Sequence, residues 1–197
     1  MGTSLSGVAD RVSSFAPVFA ADARVLVLGS MPGAASLAAD EYYAHARNAF
    51  WPIMGALFDA GPELPYAERL RRLKASGVAL WDVIAHCTRP GSLDSAIVPA
   101  SVMPNDLPAL FAACPQLQHV FFNGSAAETA FRRHLPALTR TGVDDSGVTA
   151  FNLSFRRLPS TSPAHAARSF AAKLAAWQAV RDAAQPAPEV RTARHAA

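Results

Sequence analysis

Four short apolar runs, each closed by turn residues and separated by stretches of helical spacing, limit what this chain can fold into. They are residues 24–29 (RVLVLG), 78–84 (VALWDVI), 118–123 (QHVFFN) and 148–153 (VTAFNL). Runs this short, without polar alternation, suit strands buried on both faces of a parallel sheet. Residues 48–59, 63–76, 104–114 and 125–134 carry helical spacing, and a last helix is expected over 163–182. Strands alternating with helices predict an α/β fold, a parallel sheet with helices packed on both of its faces. Two helix starts have local signatures: Ser125 and Glu128 read as a capping box after Gly124, and Ser162 before Pro163 reads as an N-cap. Phe170, Leu174 and Trp177 fall on one face of the last helix, which predicts a buried stripe.

A chain of 197 residues suffices for one compact domain, expected over residues 1–183. Residues 184–197 (AQPAPEVRTARHAA) lack apolar periodicity and are expected to form a disordered tail. No apolar run approaches the ~20 residues of a membrane span, so no membrane partner is expected. The first 21 residues hold neither a basic leader nor a continuous apolar segment, and the expected location is cytoplasmic. Two cysteines, Cys87 and Cys114, are too few for a disulfide framework or a four-thiolate iron–sulfur cluster. Both read as buried thiols, and neither a metal nor any other cofactor is expected. The net charge is +3, and every cation except Lys74 and Lys173 is arginine. Arginine suits phosphate, so the balance is compatible with DNA without requiring it.

In an open parallel sheet, ligands bind beyond the carboxyl ends of the strands. The first run passes into Gly29, Ser30, Met31, Pro32 and Gly33, a tight turn whose backbone can approach a ligand closely. It is neither the dinucleotide G-x-G-x-x-G nor the hydrolase G-x-S-x-G, which disfavours both classes. Next comes YYAHARNAFW, residues 42–51, rich in aromatic and hydrogen-bonding side chains. Aromatic faces can stack on an extruded base, and an amide both donates and accepts hydrogen bonds. Here Asn48 can cap the following helix, serve chemistry, or do both, while Phe50 and Trp51 are expected in the core. Asn123 ends the third run, either as a turn residue or as an amide facing the same crevice. The fourth run leads to Ser160, Thr161, Ser162 and Pro163, followed by His165, a stiff loop suited to pressing on a phosphate backbone. Asp82, His45 and His86 are open between pocket and structural roles.

The ordered set GSMPG, YYAHARNAFW, ALWDVIAHCTRPGSLDSAI, FFNGSAAE and LPSTSPAHA resembles hypoxanthine-DNA glycosylases, the deoxyinosine-directed branch of the uracil-DNA glycosylase superfamily. The match spans about residues 24–180. The resemblance implies helices sandwiching a short, mainly parallel four-stranded sheet, with damaged DNA as partner; nothing in the sequence suggests more than a monomer. It implies that residues 29–33 line the base pocket, although Ser30 and Met31 stand where many relatives carry a catalytic Asn or Asp. It moves the catalytic role to Asn48 and the stacking role to Tyr43, with His45 and Asn123 around the base. Ala46 replaces a more usual proline. Residues 158–163 resemble the motif that enters the minor groove but lack its H-P-S-P form.

The expected chemistry is hydrolysis of an N-glycosidic bond after base flipping. Because a carboxamide does not titrate, Asn48 would position water or hydrogen-bond the departing base. Lyase activity needs an amine nucleophile, and both lysines fall on expected helices. The rival readings are a uracil or mixed glycosylase and a non-catalytic nucleic-acid binding module.

Overall fold

A computed structural model of the chain describes residues 11–139 and 151–186. Within these, the strands are β1 (Arg11–Ser13), β2 (Val25–Gly29), β3 (Val78–Asp82), β4 (Ile84–Thr88), β5 (Met103–Pro104), β6 (His119–Asn123) and β7 (Ser154–Leu158). The helices are α1 (Ala34–Ala39), α2 (Phe50–Phe58), α3 (Tyr66–Ala75), α4 (Leu107–Ala113), α5 (Ser125–His134) and α6 (Phe170–Ala184). Strands β3-β2-β6-β7 form a four-stranded parallel sheet in that order. Helix α3 packs on β3, α5 on β6 and β2, and α6 on β2 and α2. The expected α/β architecture around a short parallel sheet is what the chain adopts.

Every residue of β2 and β3 is buried, which is why both are apolar up to their carboxyl ends, where β3 closes on Asp82. Although β3 is an edge strand, Val18 pairs with Leu80 through two backbone hydrogen bonds of 2.9 and 2.8 Å and covers it. At the opposite edge β7 exposes Arg156 and Arg157, charges that discourage further strand pairing.

Several expected boundaries move. The fourth strand is Ser154–Leu158, not 148–153, of which residues 148–150 lie outside the described part. As an edge strand it keeps only Phe155 and Leu158 out of water, and its two exposed arginines break any apolar run. The run 78–84 divides at Val83, whose N–H donates to Gly29 O at 2.9 Å, followed by Ile84 N–H to Ser30 O at 3.1 Å. Beyond that bend β4 joins a separate antiparallel sheet, β1-β4-β5, which the sequence did not announce.

Ser162 closes a single turn, with its Oγ accepting from Ala164 N. The helix begins only at Phe170, capped by Ser169, whose Oγ accepts from Ala172 N at 3.2 Å. Ser125 forms no capping box. Gly124 turns directly out of β6 at φ 96°, and Glu128 is drawn to Arg132 and Arg157 at 3.0 and 3.2 Å. Of the expected stripe on α6, Trp177 is fully buried and Leu174 partly so, but Phe170 is 47% exposed. The tail over 184–197 begins inside α6 at Ala184, and residues 187–197 lie outside the described part.

Candidate active site

The carboxyl ends of β2, β3, β6 and β7 open on one cavity of about 260 Å³. Sequence reasoning placed a site there, and the structure brings its residues together. Gly29, Ser30, Met31, Pro32 and Gly33 form one wall. Tyr43, His45 and Asn48 form a second, and Asn123 with Ser160, Thr161, Ser162 and Pro163 a third. His165 is exposed and does not line the cavity.

The first wall is held from outside. Ser30 Oγ donates to an Asp94 carboxylate oxygen at 2.9 Å, and Ala34 N–H donates to Ser92 Oγ at 3.2 Å. The guanidinium of Arg89, itself 1% exposed, donates to the carbonyls of Pro32 and Gly91. Met31 points largely into the core. A Cβ at Gly29 would displace the Asp82 carboxylate, whose Oδ1 occupies that space.

The second wall rests on stacked aromatics. Tyr43 stacks on Phe50 with ring centroids 4.1 Å apart, and Phe50 meets Trp177 edge-on at 5.9 Å. Phe50 and Trp51 are buried, as their core assignment expected. Tyr43 sits at φ 54°, a conformation that costs a non-glycine residue on the order of 1 kcal/mol. Its hydroxyl is buried and makes no well-formed hydrogen bond among the described residues, although the Asn123 side chain lies close enough to oppose the rise in its pKa. Burial first, and then the neighbouring Asp82 charge, raise its pKa far above the ordinary phenol value, so it stays a donor. Asn48 Oδ1 accepts from Phe50 N at 3.0 Å, closing the turn that starts α2, whereas its Nδ2 donates to no described residue. His45 accepts from Arg47 N at 3.1 Å and is exposed at the rim.

In the third wall Asn123 serves the loop directly. Its Nδ2 donates to Thr161 Oγ1 and its Oδ1 accepts from Thr161 N, both at 2.9 Å. Thr161 O in turn accepts from Ala49 N at 3.0 Å, which ties β6, the 158–163 loop and the start of α2 together. Thr161 is therefore 1% exposed, and its expected contact with a phosphate backbone is replaced by an internal one. Ser160, Ser162 and Pro163 remain half-buried at the mouth. Gly124 lets this loop approach, since a Cβ there would lie 2.7 Å from that of Ser160. Replacing Asn123 by Ala should cost about 1–3 kcal/mol, because two bonds break and the partner groups are left buried. Thr161→Val, which keeps the Thr161 N–H bond, should cost about half as much; urea unfolding of both variants reads the difference.

Sequence reasoning gave no role to Ser92 and Asp94, which brace the first wall, or to Leu93, 61% exposed at the rim. Their only signal was the turn-forming stretch RPGSLD. It also left Asp82 and His86 open, and the structure separates them. Asp82 lines the cavity at the end of β3, whereas His86 lies in the antiparallel sheet, its Nδ1 2.8 Å from Ser13 Oγ. Burial above all raises the Asp82 pKa, and the Asp94 charge adds to it; a hydrogen bond from Ser14 and the Arg89 charge oppose, leaving it at about 7. Among the described residues, no three His, Cys, Asp or Glu side chains gather as metal ligands.

Residues 16–181 match the family model described as "Uracil DNA glycosylase superfamily". The chain belongs to that superfamily. It is a DNA glycosylase, and damaged DNA is its substrate class. Among curated relatives, a hypoxanthine DNA glycosylase from Methanosarcina barkeri is 31% identical over 146 residues, 73% of this chain and 91% of that protein. A second hypoxanthine DNA glycosylase, from Methanosarcina acetivorans, is 33% identical over 57% of this chain and 71% of its own length. A solution NMR structure from Methanosarcina acetivorans, provisionally described as a uracil DNA glycosylase, superposes with a TM-score of 0.69 at 27% identity. That superposition covers 89% of this glycosylase and 99% of the NMR chain. The cavity described above lies at the strand ends of that glycosylase fold.

Proposed function

We propose that this glycosylase releases hypoxanthine from deoxyinosine in DNA, and that it leaves an abasic site without cutting the strand. The observation that carries the reading is the Asn48 carboxamide. Its Oδ1 is fixed by Phe50 N–H, which holds the side chain at the cavity and leaves Nδ2 to donate. The facing loop offers Ser30 and Met31, neither of them an amide or a carboxylate. The names of the two curated relatives support the choice of base.

The extruded base would stack on the face of Tyr43 opposite Phe50. As the N-glycosidic bond lengthens, negative charge develops on the departing purine. Asn48 Nδ2 would then donate to that charge or orient the attacking water. Ser160, Ser162, Pro163 and the exposed His165 flank the mouth, where the DNA backbone would pass. One chain carries every wall of the cavity, which supports action as a monomer. Lys74 and Lys173 do not line it, which supports hydrolysis by water rather than attack by an amine.

Matched duplexes carrying one hypoxanthine or one uracil, followed by alkaline cleavage, test the reading. Cutting chiefly at hypoxanthine, with no borohydride-trapped adduct, is the expected result. Cutting chiefly at uracil would favour the alternative suggested by the NMR relative's description. Binding without excision of either base would leave a nucleic-acid binding module.

A further inference from the structure

Asp82 is a buried carboxyl in the substrate cavity that the chemistry assigned to Asn48 does not use. Its Oδ2 accepts from Ser14 Oγ at 2.7 Å, whereas Oδ1 accepts from no described residue. That free oxygen lies over Gly29, where a Cβ would displace it. The Tyr43 hydroxyl approaches the same point, 3.1 Å from where a Gly29 Cβ would be. The Asp82 oxygen and the Tyr43 hydroxyl, which has only Asn123 beside it and no well-formed hydrogen bond, thus face the same point of the cavity wall, an arrangement suited to a polar ligand.

We propose that Asp82 reads the edge of the extruded base, its Oδ1 accepting the ring N–H that deamination creates. The inference rests on the reading of the cavity as the base pocket. Deamination of adenine replaces a bare N1 acceptor by an N1–H donor beside a C6 carbonyl. An ionised Oδ1 accepts from that N–H in hypoxanthine and meets a lone pair in adenine, which it repels. Guanine shares the N1–H, so its exclusion must come from elsewhere in the cavity, around its 2-amino group.

The reading requires the ionised carboxyl, which gives it a pH signature. With burial, Asp94, Ser14 and Arg89 setting the balance, Asp82 ionises at about 7. Other titratable groups nearby are Tyr42 and Tyr43, both raised and neutral, His45 on the cavity wall, and His165, whose charge acts on Asp94. Single-turnover excision of hypoxanthine should rise with pH up to about 7 and level off above it.

The test compares wild type, Asp82→Asn and Ser14→Ala on duplexes carrying hypoxanthine or unsubstituted purine, whose N1 bears no hydrogen. Wild type should prefer hypoxanthine at pH 8. Asp82→Asn should lose about 10- to 100-fold on hypoxanthine at that pH, flatten the pH profile and collapse the preference, while binding an abasic duplex normally. Ser14→Ala removes a hydrogen bond that favours ionisation, so it should move the midpoint to higher pH and leave the plateau rate unchanged. An Asp82→Asn enzyme with wild-type rate and profile overturns the inference. So does one that loses both substrates and abasic binding equally, which would make Asp82 structural. A wild-type protein that excises neither base overturns the functional reading, and this inference with it.

Discussion

Replacing Asn48 by Ala should lower single-turnover excision of hypoxanthine about 10²- to 10³-fold, the usual cost of one hydrogen-bond donor aimed at developing charge. The difficulty with this variant is that Asn48 also starts a helix. Its Oδ1 satisfies Phe50 N–H, and loss of such a cap costs about 1 kcal/mol. Asn48→Asp separates the two roles, because a carboxylate still accepts from Phe50 N–H but has no hydrogen to donate. The helix start should survive in this variant, with a melting temperature close to wild type. Excision should still fall. If Asn48→Asp excised hypoxanthine at the wild-type rate, the donor role would be wrong and orientation of water by the remaining oxygen would replace it. If Asn48→Ala excised normally while folded, Asn48 would have no part in the chemistry.

The largest effect on stability is expected at Trp177. Its ring is fully buried on α6, lies edge-on to Phe50 at 5.9 Å, and donates from Nε1 to Pro159 O at 2.9 Å. Trp177→Ala should destabilise the fold by about 3–5 kcal/mol, from lost burial and the cavity left behind. Trp177→Phe keeps much of the ring contact and removes the bond to Pro159. It should cost less in urea unfolding yet loosen the 158–163 loop, which would appear as faster hydrogen exchange at Thr161 N–H. Equal exchange there in wild type and Trp177→Phe would mean that Asn123 and Ala49 hold the loop without help from α6. Phe50 touches both Tyr43 and Trp177, so this packing also sets the ring on which a base would stack.

The site was legible where a segment's chemistry is concentrated locally. Residues 29–33 and 42–51 stood out because glycine and proline, or several aromatic and amide side chains, fall close together in the sequence. Asn123 was legible because it ends a buried run. Its function as the clasp on Thr161 was not, since that bond joins residues 38 apart and depends on how closely two loops approach. Thr161 was misplaced for the same reason. A hydroxyl in a loop of small and proline residues looks exposed until its partner is known. Asp94, Ser92 and Arg89 were invisible as wall supports because each acts on a segment far away in sequence.

By itself the sequence determined the parallel sheet, because the middles of β2, β3 and β6 are buried on both faces and such stretches are continuously apolar. It also placed the candidate site beyond their carboxyl ends, where the structure has its cavity, since the polar and glycine-rich stretches follow those runs directly. Edge strand β7 escaped because half-exposed pairing tolerates arginine, and the antiparallel sheet escaped because β4 continues the apolar run of β3 without a break in pattern. The state of Asp82 was decided by tertiary structure alone. An aspartate following a tryptophan has no distinctive signal in one dimension. Only enclosure by β1, β2 and the 42–51 segment removes it from water, leaves one oxygen without a partner, and brings its ionisation to about 7.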